Sequence, residues 1–164
     1  MGHVWLIGMM GTGKTTIGAM VAESLGLPII DSDTVVMERS GRTISDLFAE
    51  SEEVFRHWES SVIHDLGSGP DAVISTGGGV VLDDANVDIM AATGVRILLE
   101  ADPASLRERL ANDATRPLLA DGTDLAAMAT NRLKRYREAC DHIVDTSGRD
   151  PMEVAEEVLR CVNT

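Results

Sequence analysis

Residues 8–15 read Gly-Met-Met-Gly-Thr-Gly-Lys-Thr, a loop spaced by glycines and closed by a lysine and a threonine. Glycines at Gly8, Gly11 and Gly13 let backbone N–H groups turn inward around an anion. An apolar run, Val4-Trp5-Leu6-Ile7, leads into the loop, and a helical pattern of Ile17, Met20, Val21 and Leu25 leaves it. The positive end of that helix therefore faces whatever the loop encloses. This strand–loop–helix context is that of a P-loop, so Gly11, Thr12, Gly13, Lys14, Thr15 and Thr16 are candidates to hold the phosphates of a nucleotide. Lys14 reaches the β- and γ-phosphates in such a loop, and the Thr15 hydroxyl ligates Mg²⁺.

Five further features carry chemistry less specifically. Asp31 and Asp33 end a brief apolar run, Pro28-Ile29-Ile30, at the place where open parallel sheets bind ligands. On an extended chain residues i and i+2 face the same way, so both carboxylates would enter one site, one to orient a metal-bound water and one to accept a proton. Alternatively they cap a helix beginning near Val35. Thr76-Gly77-Gly78-Gly79 follows a third apolar run, and three glycines together imply either close approach of a ligand to backbone or a tight turn. Arg56, on a helical pattern, and Arg116 and Arg132 further on, are arginines that alone would be read as solvated.

Positioning these residues requires an alternation of elements. Strands are expected at Val4–Ile7, Pro28–Ile30, Ala72–Ile74, Val95–Leu99 and Ile143–Val144. Helices fall between them, including two pieces within 43–66 and one around 84–92. Asp102-Pro103 and Asp150-Pro151 each pair an N-cap with a proline at the first helical position. Apolar strands alternating with helices mean a parallel sheet covered on both faces. The irregular stretch 111–123, flanked by helices, is expected to be a mobile lid.

The chain has 164 residues, enough for one domain with its own core. Its net charge of −13 opposes any general nucleic-acid partner, because such binding needs a basic face. An anionic ligand must instead meet a local basic pocket. Twelve of the 14 basic residues are arginine, whose planar fork grips carboxylates and phosphates bidentately. No apolar run reaches membrane-spanning length, and the glycines at Gly8 and Gly11 come too early for a signal peptide. The expectation is a cytoplasmic protein with no membrane partner. Cys140 and Cys161 lack ligand spacing and read as idle thiols.

Taken together, order and spacing resemble the shikimate kinase family. The resemblance runs through the P-loop, Asp31-Ser32-Asp33, the stretch Gly41 to Phe48, Glu52 with Phe55-Arg56, Ser75 to Gly79, Arg116 to Leu119, and Arg132 to Tyr136. It implies a three-layer α/β/α P-loop kinase fold of about five parallel strands in one domain spanning residues 1–164, and a monomer. It implies transfer of the γ-phosphoryl of ATP to the 3-hydroxyl of shikimate, giving shikimate 3-phosphate and ADP, on the route to chorismate and the aromatic amino acids.

The resemblance also implies roles. Asp33 holds ring hydroxyls and is the candidate base, and Arg56 and Arg132 grip the substrate carboxylate. Gly77, Gly78 and Gly79 let the ring lie against backbone. Arg116 belongs to the lid and reaches the transferring phosphoryl. Thr15 and Asp31 position Mg²⁺, Asp31 through water, while Arg109 and Arg149 contact the adenine side. Two departures stand out. Ser51 precedes Glu52 where the family commonly has glycine, and Lys134-Arg135 precede Tyr136 where many members have Pro-Leu. Both cations are expected to face solvent. The alternatives are a kinase for a related polyol acid such as gluconate, and a nucleotide-binding regulatory module.

Overall fold

The computed structural model describes residues 2–112 and 125–164. Its centre follows from one strand. Every residue of β1 (His3–Ile7) is buried, and alternation along a strand sends Val4 and Leu6 to one face and Trp5 and Ile7 to the other. A strand apolar on both sides needs helices on both sides. Val4 and Leu6 pack with Ile17 and Val21 of α1 (Lys14–Leu25) and with Val154 and Val158 of α8 (Pro151–Val162). Trp5 and Ile7 pack with Ile63 of α4 (Glu52–Gly67), Met90 of α5 (Asp84–Thr93), Leu106 of α6 (Pro103–Ala111) and Tyr136 of α7 (Leu125–Glu138).

The remaining strands are β2 (Ile29–Asp31), β3 (Val73–Ser75), β4 (Gly94–Glu100) and β5 (His142–Asp145). All five are parallel in the order β2-β3-β1-β4-β5, with Leu6 in register with Ser75 and Ile97. The sheet and its two helical layers are as expected, and so are the proline-started helices α6 and α8, capped by Asp102 and Asp150. Two further helices, α2 (Ser32–Ser40) and α3 (Ile44–Glu50), pack against α4 through Val36, Leu47, Phe55 and Val62. A single 3₁₀ turn (Val80–Leu82) follows the triple glycine.

The Asp31/Asp33 pair departs from the extended arrangement. Asp31 is the last residue of β2 and also the N-cap of α2, its Oδ1 accepting from the N–H of Asp33 at 3.0 Å and of Thr34 at 3.1 Å. The helix thus starts at Ser32 rather than near Val35, and Asp33 sits in its first turn instead of two residues along a strand. The cap closes at once because a carboxylate in extended backbone accepts the helix's first free N–H groups. The expected lid, 111–123, lies outside the described residues except for Ala111, which ends α6, and Asn112, which is its C-cap.

Candidate active site

The loop of residues 8–13 connects the buried end of β1 to α1. Gly8 has φ 139°, and a Cβ there would drive into the backbone carbonyl of Leu99 on the neighbouring strand. Only glycine lets the chain leave the sheet at this point. Thr12 turns the loop back by donating to the Met9 carbonyl at 2.8 Å. Lys14 is largely buried and donates to the carbonyls of Gly8 at 2.7 Å and Met9 at 2.9 Å, so its ammonium spans the loop.

The start of α1 differs from the other described helix starts. Helices α2 to α6 and α8 each satisfy an N-terminal N–H with an Asp, Ser or Thr side chain of their own. The N-cap of α1 is Gly13, with no capping side chain and no acid in its first turn. Its N–H groups and positive dipole end are left for an anion. Thr15 and Thr16 stand exposed on that turn.

Arg109 and Arg149 both meet the turn after β5. Arg109 donates to the Gly11 carbonyl at 3.1 Å and to the Thr146 carbonyl at 2.7 Å, tying the loop to that turn. Arg149 bonds the Asp145 carbonyl at 2.9 Å and pairs with Glu157 at 2.7 Å. The α6 that carries Arg109 is anchored by Asp102, whose carboxyl is pulled down to about 2 chiefly by the Ser105 backbone N–H.

On the other side of the loop the three glycines form a floor, and each faces a different chemical group. A Cβ at Gly77 would lie 2.8 Å from Asp33 Oδ1 and 3.0 Å from Glu59 Oε2. At Gly78 it would lie 3.7 Å from the Tyr136 hydroxyl, 3.9 Å from Arg132 Nη1 and 3.8 Å from Met10 N, so the floor abuts the phosphate loop. At Gly79 it would strike the Arg56 guanidinium. Tyr136 donates to the Gly78 carbonyl, and burial pushes its phenol up, which keeps the proton there to be donated. Asp33, Arg56, Arg132 and the three glycines are therefore brought together as expected. Asp31 is near them in sequence but faces its own helix cap. Arg116 lies outside the described residues.

Arg56 is the most firmly held group of the floor. It donates to Glu59 Oε1 at 2.8 Å and to Glu52 Oε1 at 3.3 Å. Its guanidinium also lies 5.7 Å from the Phe48 ring centre and 5.2 Å from that of Phe55, within cation–π range. Glu59 is a buried acid at this floor that the sequence alone does not single out. It is only 1% exposed, and its carboxyl is raised above the usual range, first by burial and also by the charge of Asp33, with Arg56 and Arg132 opposing. A signal was present, because position 59 falls on the same helical stripe as Phe55, Val62 and Ile63, where an acid has no solvent to face.

Among the described residues no three or more His, Cys, Asp or Glu side chains gather to hold a metal by themselves. That suits Mg²⁺ in a phosphate site, which keeps waters and takes only one or two protein ligands beside the phosphates. The exposed Thr15 hydroxyl fits that habit, as does Asp31, whose cap uses Oδ1 alone.

The chain is similar to known proteins over nearly its whole length. The family model described as shikimate kinase matches residues 10–163. The chain is 39% identical over 164 residues to the shikimate kinase of Bacillus cytotoxicus, covering 98% of each. Its fold matches that of the shikimate kinase from Acinetobacter baumannii in complex with shikimate, with a TM-score of 0.91, 30% identity, and coverage of 99% of this chain and 93% of that one. A gluconokinase from Sinorhizobium meliloti shares the fold at a TM-score of 0.65 but only 16% identity, covering 99% of this chain and 91% of that one.

Proposed function

The chain belongs to the shikimate kinase family, and from that premise we propose how its own residues carry phosphoryl transfer from ATP to shikimate. The observation that supports the reading is the glycine floor, with a carboxylate pair at Gly77, Arg132 at Gly78 and Arg56 at Gly79, abutting a phosphate loop at Met10. Two arginine forks over adjacent glycines suit one planar carboxylate. A polyhydroxylated ring bearing that carboxylate would then lie on backbone, with its hydroxyls toward Asp33.

In this reading Asp33 accepts the proton of the 3-hydroxyl as its oxygen bonds to the γ-phosphorus. The bond from γ-phosphorus to the bridging oxygen breaks, and ADP leaves. Lys14 and the uncapped N–H groups of α1 stabilise the charge that gathers on the phosphates. Thr15 and, through water, Asp31 would hold Mg²⁺, which would supply positive charge beside the phosphates. Arg109 and Arg149 frame the adenine side. Arg116 is proposed, from the family resemblance, to meet the transferring phosphoryl. We place this activity in one domain, a cytoplasmic monomer with no nucleic-acid or membrane partner.

The test is ADP release with ATP, Mg²⁺ and shikimate, beside gluconate and acceptor-free controls. Turnover of about 1–100 s⁻¹ with shikimate alone is expected. Turnover with gluconate instead would move the acceptor. Silence with every acceptor despite tight ATP binding would leave a nucleotide-binding module. Arg132→Ala is expected to raise the shikimate KM about 10–100-fold, the range for losing a charged hydrogen-bonding partner, with the ATP KM nearly unchanged. Equal rises in both would count against carboxylate binding at this position.

A further inference from the structure

We propose that Arg135 is a positioning residue for shikimate, a tether that holds the Arg132-bearing helix against the glycine floor. The proposal rests on the reading of Arg132 as a carboxylate ligand. The sequence predicts a solvent-facing Arg135, but its Nη2 donates to the Val81 carbonyl at 2.8 Å in a partly buried bond and lies 2.5 Å from Asp84 Oδ1.

The place of that bond gives it meaning. Val81 lies in the 3₁₀ turn that grows directly out of the floor, with Val80 N bonded to the Gly77 carbonyl and Leu82 N to the Gly79 carbonyl. The next residue of α7, Tyr136, donates to the Gly78 carbonyl. Two successive residues of one helix thus grip one turn at two carbonyls three residues apart. A single grip would act as a pivot about which α7 could rotate. A second, displaced along the turn, removes that rotation and sets the distance from Arg132 to the floor. Arg132 and Arg135 are three residues apart and so share a helix face, which makes the tether direct.

The third successive residue, Arg137, pairs with Glu100 of β4 through two bonds, at 2.8 Å and 3.1 Å. It points elsewhere, because it lies two residues and so about 200° around the helix from Arg135. It fixes α7 to the sheet but not to the floor. Within the Arg135 tether the carbonyl bond matters more than the ion pair, since Asp84 is 85% exposed and such pairs are weakened by solvent.

The experiment measures steady-state constants for Arg135→Leu, Arg135→Gln, Arg135→Lys, Asp84→Ala and Arg132→Ala in the full chain. Arg135→Leu keeps an apolar stem but removes every donor. It is expected to raise the shikimate KM about 5–20-fold, less than the loss of a direct charged hydrogen bond because Arg135 acts only through Arg132, with kcat and the ATP KM within about twofold. Arg135→Gln, which keeps a polar end but is too short to span the gap, is expected to match it and carries the test if Arg135→Leu does not fold. Arg135→Lys should recover part of the loss, and Asp84→Ala should change the shikimate KM by less than about twofold. A purely structural role would lower Tm and leave the shikimate KM untouched, or shift both KM values alike, and either result overturns the proposal. If Arg132→Ala raises the shikimate KM while both Arg135→Leu and Arg135→Gln do not, the tether alone is wrong. If Arg132→Ala has no effect, the carboxylate reading beneath it is wrong.

Discussion

Asp33→Asn is expected to lower kcat by about 10²–10⁴-fold, the usual contribution of a positioned general base, while ATP binding stays within about twofold. On the proposed reading the change removes the proton acceptor and little else. Asn keeps the shape, and the Asp33 amide still donates to the Asp31 cap, since that bond is made by backbone. The acid in the first turn of α2 is lost, which costs the helix about 0.3–1 kcal/mol of dipole interaction. The phosphate loop is built on the Gly8 and Met9 carbonyls, which Lys14 and Thr12 bond, and on the Arg109 tie to Gly11, so nucleotide affinity should survive. Residual turnover would then be that of two bound substrates held in line. Near-wild-type kcat in single-turnover measurements would remove Asp33 from the role of base. A parallel loss of ATP binding would instead mean that the substitution disturbs the loop.

What was legible in the sequence divides along the range of the interactions involved. β1 could be read because its burial on both faces writes a continuous apolar run, and α6 and α8 because Asp-Pro fixes cap and first turn within two residues. The phosphate loop could be read because all its chemistry lies within eight consecutive positions. Asp31 and Asp33 could be named but not placed, since strand and cap geometries differ only in which N–H groups the Asp31 carboxylate finds. Glu59 could be flagged as a buried acid by its helical stripe, but neither what it meets nor what Arg135 meets could be read. The partners that give them meaning, Asp33 and Val81, lie 26 and 54 residues away, and only the packing of α4 and α7 against the floor brings them within reach. Arg135 in particular looks like any solvated helix arginine until its acceptor is known.

The same floor yields a substitution expected to separate fold from function. Gly79 has φ −101° and ψ 5°, a conformation open to other residues, so Gly79→Ala strains no backbone. Its methyl would nevertheless occupy the space of the Arg56 guanidinium. One of the two must move, and the guanidinium is the far end of a flexible side chain. It has somewhere to go, because Glu52, already bonded at 3.3 Å, is exposed at the rim. Moving there draws Arg56 off Glu59, whose raised carboxyl can take up a proton and so avoid a buried bare charge. The fold should therefore absorb the change, with Tm altered by no more than a few degrees. The shikimate site should not, because a fork displaced by even one ångström loses its bidentate geometry. The expected result is a shikimate KM raised about 10–100-fold with the ATP KM unchanged. An unchanged shikimate KM would show that Arg56 does not hold the substrate. A large fall in Tm would show that the backbone of the turn gives way before the arginine does, making the third glycine a requirement of folding rather than of binding.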